Sequence, residues 1–283
     1  MKLVRFGEAG SETPGMIDAD GIIRDLSGHV ADITGETVDA ATLDQLRGLD
    51  PASLPALDDN VRLGACVSGI GKFMCIGLNY SDHAAETGAD IPEHPILFMK
   101  ATSAVVGPND MVMLPRHSTH SDWEVELGVV IGKPCKYVSV NDALDYVAGY
   151  FVANDVSERH FQTQLTGQWT KGKSCDTFGP IGPWLVTADE VADPQKLDMS
   201  LDVNGKRMQT GNTSTMIFTV AECISHLSEL MTLHPGDIIS TGTPPGVGMG
   251  MKPEPIYLKE GDIMEVAIEG LGSQRQEVGR DPA

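Results

Sequence analysis

The chain has 283 residues, 41% hydrophobic and 21% charged, a balance that excludes intrinsic disorder, and no apolar run approaches the ~18 to 20 residues of a membrane span. Asp and Glu outnumber Lys and Arg by 40 to 20, and a formal charge of −20 repels nucleic-acid phosphates and anionic lipid, so neither is an expected partner. Five widely spaced cysteines without a CxxC pair, and an N-terminus without an apolar leader, fit reduced thiols in a cytoplasmic protein.

Residues 1 to about 60 read as short strands around tight turns: KLVRF, then MIDADGIIRDL, where Asp18-Ala19-Asp20-Gly21 supplies the turn and lacks the further oxygen ligands of a calcium loop. SLPALDDN, rich in Pro and Asp, reads as a linker, which divides the chain into a small N-terminal domain (1–65) and a larger domain (66–283). From Phe73 onward strand-like stretches dominate: FMCIGL, ILFMK, VVGPNDMVML, EVELGVVIG, YFVAND, GPWLV, LDVNG, DIISTG, IYL and IMEVAIEG. One amphipathic helix interrupts them, opened by a Thr219/Glu222 capping box and ending before His234. The class is therefore mainly β with α (α+β), and the absence of regular strand–helix alternation disfavours a doubly wound nucleotide fold.

Two nucleotide-like patterns fail on context. Gly167 to Ser174 matches GxxxxGKS/T, but Pro180 and Pro183 forbid the long helix that must follow a phosphate loop, and TGTPPGVG carries two prolines among its glycines. No nucleotide is expected. His117 and His120 form an HxxH spacing without further ligands, which favours a surface loop over zinc.

The informative residues are carboxylates. In the strand EVELGVVIG, Glu124 and Glu126 share one face while Val125 and Leu127 point to the other. That pattern serves equally a solvent-exposed strand or a cation site, because like charges so close repel unless a cation joins them. Asp155 ends the strand YFVAND, and if the following VSERHFQTQL is helical, Asp155, Arg159 and Gln162 lie on one face at i, i+4 and i+7. Three carboxylates suit a hard ion such as Mg²⁺, Mn²⁺ or Ca²⁺. Upstream, His83 and Glu86 stand i, i+3 in a helical turn, either a surface pair or a general base oriented by a carboxylate.

GLNYSDHAAE, PILFMK, DWEVELGVVIGK, GYFVANDVSERHFQ, KGKSCDTFGPIGPWL, NGKRMQTGNTSTMIF and PGDIISTGTPPGVG occur in the order seen in the fumarylacetoacetate hydrolase family, a resemblance covering roughly residues 70 to 280. It implies a mixed β-sandwich roll, dimeric, with a small N-terminal domain. It also implies that Glu124, Glu126 and Asp155 ligate one Mg²⁺ or Mn²⁺ per subunit, and that His83 and Glu86 form the catalytic pair. Gln162 and Lys173 are implied to share in catalysis, Arg159, Lys173 and Thr243 to bind substrate, and Thr177 to support the metal site. The implied substrate is a small anionic 2,4-diketo acid, cleaved to pyruvate and a second acid. Among relatives of this pattern the expectation is a 2,4-diketo-3-deoxy sugar acid such as the rhamnonate derivative, which the low aromatic content of 5% also suits. Decarboxylase, isomerase and ureidoglycolate lyase chemistry are the alternatives within the family. Leu78 departs from the pattern, since many members carry Arg there, and leaves Lys100 or Arg159 as candidates for the distal end of the substrate.

Overall fold

The computed structural model describes residues 1–57, 60–82, 86 and 90–281. Most of the regular structure is sheet. A ten-stranded sheet runs Ile23–Asp25, Thr13–Ile17, Lys2–Phe6, Gly179–Thr187, Val147–Asn154, Val125–Ile131, Ile238–Ser240, Phe73–Gly77 and Ile96–Lys100, with Val105–Val106 added parallel to Gly179–Thr187. A five-stranded sheet runs Lys206–Asn212, Asp198–Val203, Ile263–Ile268, Gly272–Arg280 and Val112–Leu114.

The two central strands, Val125–Ile131 and Val147–Asn154, are buried at every position, because both faces of the large sheet are covered. Val125, Leu127, Val129 and Ile131 join a core shared with Met199, Leu201, Met264, Val266 and Val278 of the smaller sheet. The opposite face of the large sheet, with Phe73, Cys75, Val130 and Phe151, packs against Ile33, Val38, Leu43 and Leu46 of the N-terminal region. Period-two alternation thus sends Glu124 and Glu126 to the face away from the small sheet.

The expected boundary near residue 65 falls in a connection between regions that share one sheet: Lys2 and Leu3 pair with Val186 and Leu185. A helix, Ala40–Arg47, was not expected there; Asp39 caps it by accepting from the Ala41 and Thr42 amides, and it buries Leu43 and Leu46. The expected helix is Val220–Leu230, with its capping box intact: Glu222 accepts the Thr219 amide at 2.8 Å.

Two local expectations are corrected, and one strand was not expected. The segment after Asp155 is no amphipathic helix: Ser157–Glu158 pairs with Ser121–Asp122, and His160–Gln164 forms one π-helical turn. Residues 256–258 form no strand, although Leu258 donates to the Ser121 carbonyl at 2.8 Å. Gly272–Arg280 is a full strand whose inward side chains include Gln274 and Gln276, both buried, bonded to the Val152, Gly182 and Pro108 carbonyls. Polar residues at the buried positions erased the apolar signal of that strand.

Candidate active site

Glu124, Glu126 and Asp155 converge at the end of the two central strands. Ala153 pairs with Glu126, and beyond the last paired residues the Asp155 amide donates to the Glu124 carbonyl at 2.9 Å, which brings the side chains together. Each carboxyl offers an oxygen within 4.8 Å of the others, and all three groups are buried. The solvent-exposed alternative for Glu124 and Glu126 is thereby removed.

Cations surround two of the three. Lys173 Nζ lies 2.8 Å from Glu124 Oε2 and 2.7 Å from Asp155 Oδ2. Lys100 Nζ lies 2.5 Å from Asp155 Oδ1, and Arg159 Nη2 lies 2.7 Å from Glu124 Oε1. Burial opposes ionisation of Glu124, but Lys173 and Arg159 outweigh it and hold its pKa well below the ordinary carboxylate value. Burial equally disfavours the Lys173 ammonium, yet Asp155 and Glu124 keep its pKa above that of a free lysine.

Glu126 is different. One of its oxygens accepts from Ser240 Oγ at 2.5 Å and from the Gly242 amide at 2.8 Å, and among the described residues no Lys or Arg lies on it. Burial, followed by the Asp155 and Glu124 charges, pushes its pKa well above the usual range. An all-oxygen set of three buried carboxyls, one of them short of positive charge, fits a hard divalent cation.

The cluster opens onto a cavity of about 200 Å³. Glu124, Glu126, Arg159, Gln162, Lys173 and Thr243 line its polar side, so six expected residues meet there although the helix expected to gather them does not form. Arg159 is oriented by Asp122, whose Oδ2 accepts its Nε at 2.8 Å, and its Nη1 donates to Gln162 Oε1 at 3.0 Å. That bond turns the Gln162 NH₂ away from the guanidinium. Thr243 donates to the Val125 carbonyl and accepts from Gln209, so its hydroxyl hydrogen is already engaged.

Other expectations land elsewhere. Lys100 is fully buried on Asp155 and the Val156 carbonyl, so it is not available to a distal substrate group. Thr177 accepts the Met113 amide at 2.7 Å and supports the strand Val112–Leu114. Glu86 is exposed and accepts the Gly246 amide at 3.3 Å, whereas His83 lies outside the described residues, as do most of residues 83–89. The lysine of the phosphate-loop-like pattern is Lys173, which sits on two carboxylates in the one-turn helix Thr170–Lys173. His117 is exposed, at a positive φ of 61°. Asp122 was missed as a site residue: wholly buried, it also accepts the Gly248 and Met249 amides at 2.6 and 3.0 Å, tying that loop to Arg159. Only its place at the head of the two-Glu strand hinted at this.

Residues 72–279 match the model of the fumarylacetoacetate (FAA) hydrolase C-terminal family. A Burkholderia multivorans protein named as a hydrolase is 61% identical over 276 residues, covering 98% of both chains. Maleylpyruvate hydrolase from Sphingobium sp. SYK-6, solved with manganese(II) and pyruvate, superposes with a TM-score of 0.83 at 31% identity over 100% of both chains. A 5-carboxymethyl-2-hydroxymuconate delta-isomerase from Mycobacterium smegmatis superposes with a TM-score of 0.80 at 32% identity, over 99% of this chain and 100% of its own. The chain belongs to the fumarylacetoacetate hydrolase family.

Proposed function

We propose that this member of the fumarylacetoacetate hydrolase family hydrolyses the C3–C4 bond of a 2,4-diketo acid of the acylpyruvate type, with Mg²⁺ or Mn²⁺ held by Glu124, Glu126 and Asp155. The observation that carries the reading is the buried three-carboxyl cluster, with Glu126 paired to no Lys or Arg among the described residues, at the wall of a cavity that also presents Lys173 and Arg159. When bound there, the ion would supply Lewis-acid stabilisation of negative charge developing on the substrate. Arg159, fixed by Asp122, holds Glu124 in place and positions the Gln162 amide to donate to the oxygen at C4.

His83, oriented by Glu86, takes a proton from water, and the hydroxide oxygen bonds to C4. Collapse of the resulting alkoxide breaks C3–C4, and the electron pair leaves on the pyruvate fragment as an enolate. Lys173, held charged by Asp155 and Glu124, stabilises that negative charge. His83 returns its proton to C3, giving pyruvate and the second acid. The 2,4-diketo-3-deoxy sugar acids are one subclass of this substrate type. A homodimer remains the assembly proposed from the family resemblance, and among the described residues no helix is long and apolar enough to cross a membrane.

The likeness to an isomerase favours a second reading, in which the same residues stabilise an enolate without water attack. Product analysis separates the two. Chelator-stripped protein given acylpyruvates, 2-hydroxy-diene-dioates and oxaloacetate should release pyruvate and a matching acid from acylpyruvates only after Mg²⁺ or Mn²⁺ is restored. Isomerised diene-dioate without pyruvate would replace the hydrolase reading, and carbon dioxide from oxaloacetate alone would establish a decarboxylase.

A further inference from the structure

Two neighbouring parallel strands, Phe73–Gly77 and Ile238–Ser240, lead into the two segments whose relative position the proposed reaction depends on. Their pairing ends at Cys75 and Ser240. At the end of the second strand, Ser240 Oγ and the Gly242 amide donate to Glu126 at 2.5 and 2.8 Å. Both bonds fall on one carboxyl oxygen, Oε2, and so set the rotation of that group. The first strand turns at Leu78, whose φ is +51°, and the chain reaches His83 five residues further on.

Beyond the ladder a side chain takes over the pairing. Asn79 is fully buried; its Nδ2 donates to the Thr241 carbonyl at 2.8 Å and the Phe218 carbonyl at 3.0 Å, while its Oδ1 accepts the Phe218 amide at 2.8 Å. Two amide hydrogens and the amide oxygen are thus in use, which leaves the side chain one orientation. Its own carbonyl accepts the Ile217 amide at 2.7 Å. Gly242 lies directly against it: a Cβ there would stand 2.8 Å from Asn79 Cβ and 3.2 Å from the Ile76 carbonyl oxygen, and its φ is +99°, so glycine is what admits the approach. On its other side Thr241 donates through its amide and its hydroxyl to the Leu127 carbonyl, at 3.1 and 2.9 Å, next to Glu126 in the chain.

We infer that Asn79 is a positioning residue: it ties the strand end that holds Glu126 to the chain entering His83, and so fixes ion and base at one separation. The inference rests on the proposed function for the roles of Glu126 and His83. Asn79 acts through Gly242 and through the backbone ahead of His83. Loss of an outer partner of a metal ligand costs about tenfold to a hundredfold in ion affinity, and a misplacement of about 1 Å costs about a hundredfold in rate.

The test measures Mn²⁺ affinity, from the electron paramagnetic resonance signal of the free ion, and kcat on whichever of the acylpyruvates, diene-dioates and oxaloacetate the unaltered protein turns over. Asn79→Ser is too short to reach Thr241 and Phe218 together, and Asn79→Asp keeps the size without the donors, so either variant that folds carries the test. Mn²⁺ affinity should fall about tenfold and kcat at saturating ion about tenfold to a hundredfold, with KM changed by less than about threefold. Gln195→Ala removes the acceptor of the Val220 amide, farther along the segment that Asn79 grips, and should lower Tm alone. Asn79 variants that lose Tm but keep ion affinity and kcat overturn the inference, as does Gln195→Ala reproducing their losses. Turnover confined to diene-dioates or oxaloacetate would overturn the hydrolase reading, while the same losses in the Asn79 variants would still support the inference. Pyruvate release from acylpyruvates, with affinity and kcat unchanged in those variants, would do the reverse.

Discussion

Two clusters of charge in this molecule are built from the same residue types and are balanced differently. In the N-terminal region Arg5 bonds Asp32 through Nε at 2.6 Å and Nη2 at 3.0 Å, while Arg62 bonds Asp110 at 2.6 Å and Glu12 at 3.1 Å. Each of these three carboxylates has a guanidinium. Burial opposes ionisation of Asp32 and Glu12, but their Arg partners and amide or hydroxyl donors hold both pKa values below the ordinary ones. In the candidate active site the charges are more deeply buried, and Glu126 carries a raised pKa because burial disfavours its anion and the Asp155 and Glu124 charges add to that more than Lys173 offsets. The first arrangement fastens chain segments together, whereas the second retains a deficit of positive charge that a divalent ion corrects. Local imbalance, rather than the number of charges, distinguishes a site from a fastening.

The largest effect expected from this difference is at Lys173. Lys173→Met should lower kcat/KM by about a thousandfold or more, the scale of removing a preorganised electrostatic group, while Mg²⁺ affinity measured by titration does not fall. Loss of ion binding in that variant would place Lys173 in the ion's support instead of the chemistry.

Glu126→Gln comes next. It should weaken Mg²⁺ or Mn²⁺ binding at least tenfold to a hundredfold, yet leave the Tm of the metal-free protein unchanged or higher, because the neutral amide replaces a carboxyl whose ionisation burial, Asp155 and Glu124 already oppose. A lower metal-free Tm would show that Glu126 is already compensated. In the unaltered protein, ion at a hundredfold excess over Kd should add about 2.7 kcal/mol of stability, read as a rise in Tm.

Asp32→Asn strikes the balanced cluster and should have the opposite signature: a loss of about 1–2 kcal/mol in denaturant unfolding with kcat unchanged. The pH dependence follows from the lowered pKa values. Stability from Asp32 and Glu12 is fully present above their ordinary values of 3.8 and 4.5 and is lost as pH falls through the lowered ones. Asp32→Asn should therefore flatten the acid limb of the stability curve, and an unchanged limb would show that the Arg5 bond contributes nothing net. The smallest effect belongs to Arg47, half in solvent beside Asp189, whose carboxyl is lowered to about 2 by Arg47 and Thr187 against a burial penalty. Arg47→Ala should cost less than about 1 kcal/mol and less still in high salt.

Much of the site was legible because its signals are short-range. Glu124 and Glu126 share a face by strand periodicity, Asp155 ends an apolar run, and the Thr219 capping box announces its helix; each depends only on residues a few positions apart. The ordered motifs carried the family. The face of Asp155, Arg159 and Gln162 was read correctly as a convergence and wrongly as a helix, because pairing with Ser121–Asp122 takes residues 157–158 into extended backbone. Neither the helix Ala40–Arg47 nor the strand Gly272–Arg280 was read: the first is short and polar, and the second hides its inward face in glutamines.

The β-rich class, the acidic balance, the carboxylate trio and the capped helix are legible from spacing and residue type, which suffice for periodicity and capping. Tertiary structure decided which charges are left without a partner. Lys100 reaches Asp155 across 55 residues and Lys173 reaches Glu124 across 49, and only that folding leaves Glu126 as the uncompensated carboxyl. It likewise decided that Leu78, Phe98 and Trp169, scattered along the chain, line the same cavity. Burial and long-range pairing arise from strand order, which local sequence does not encode.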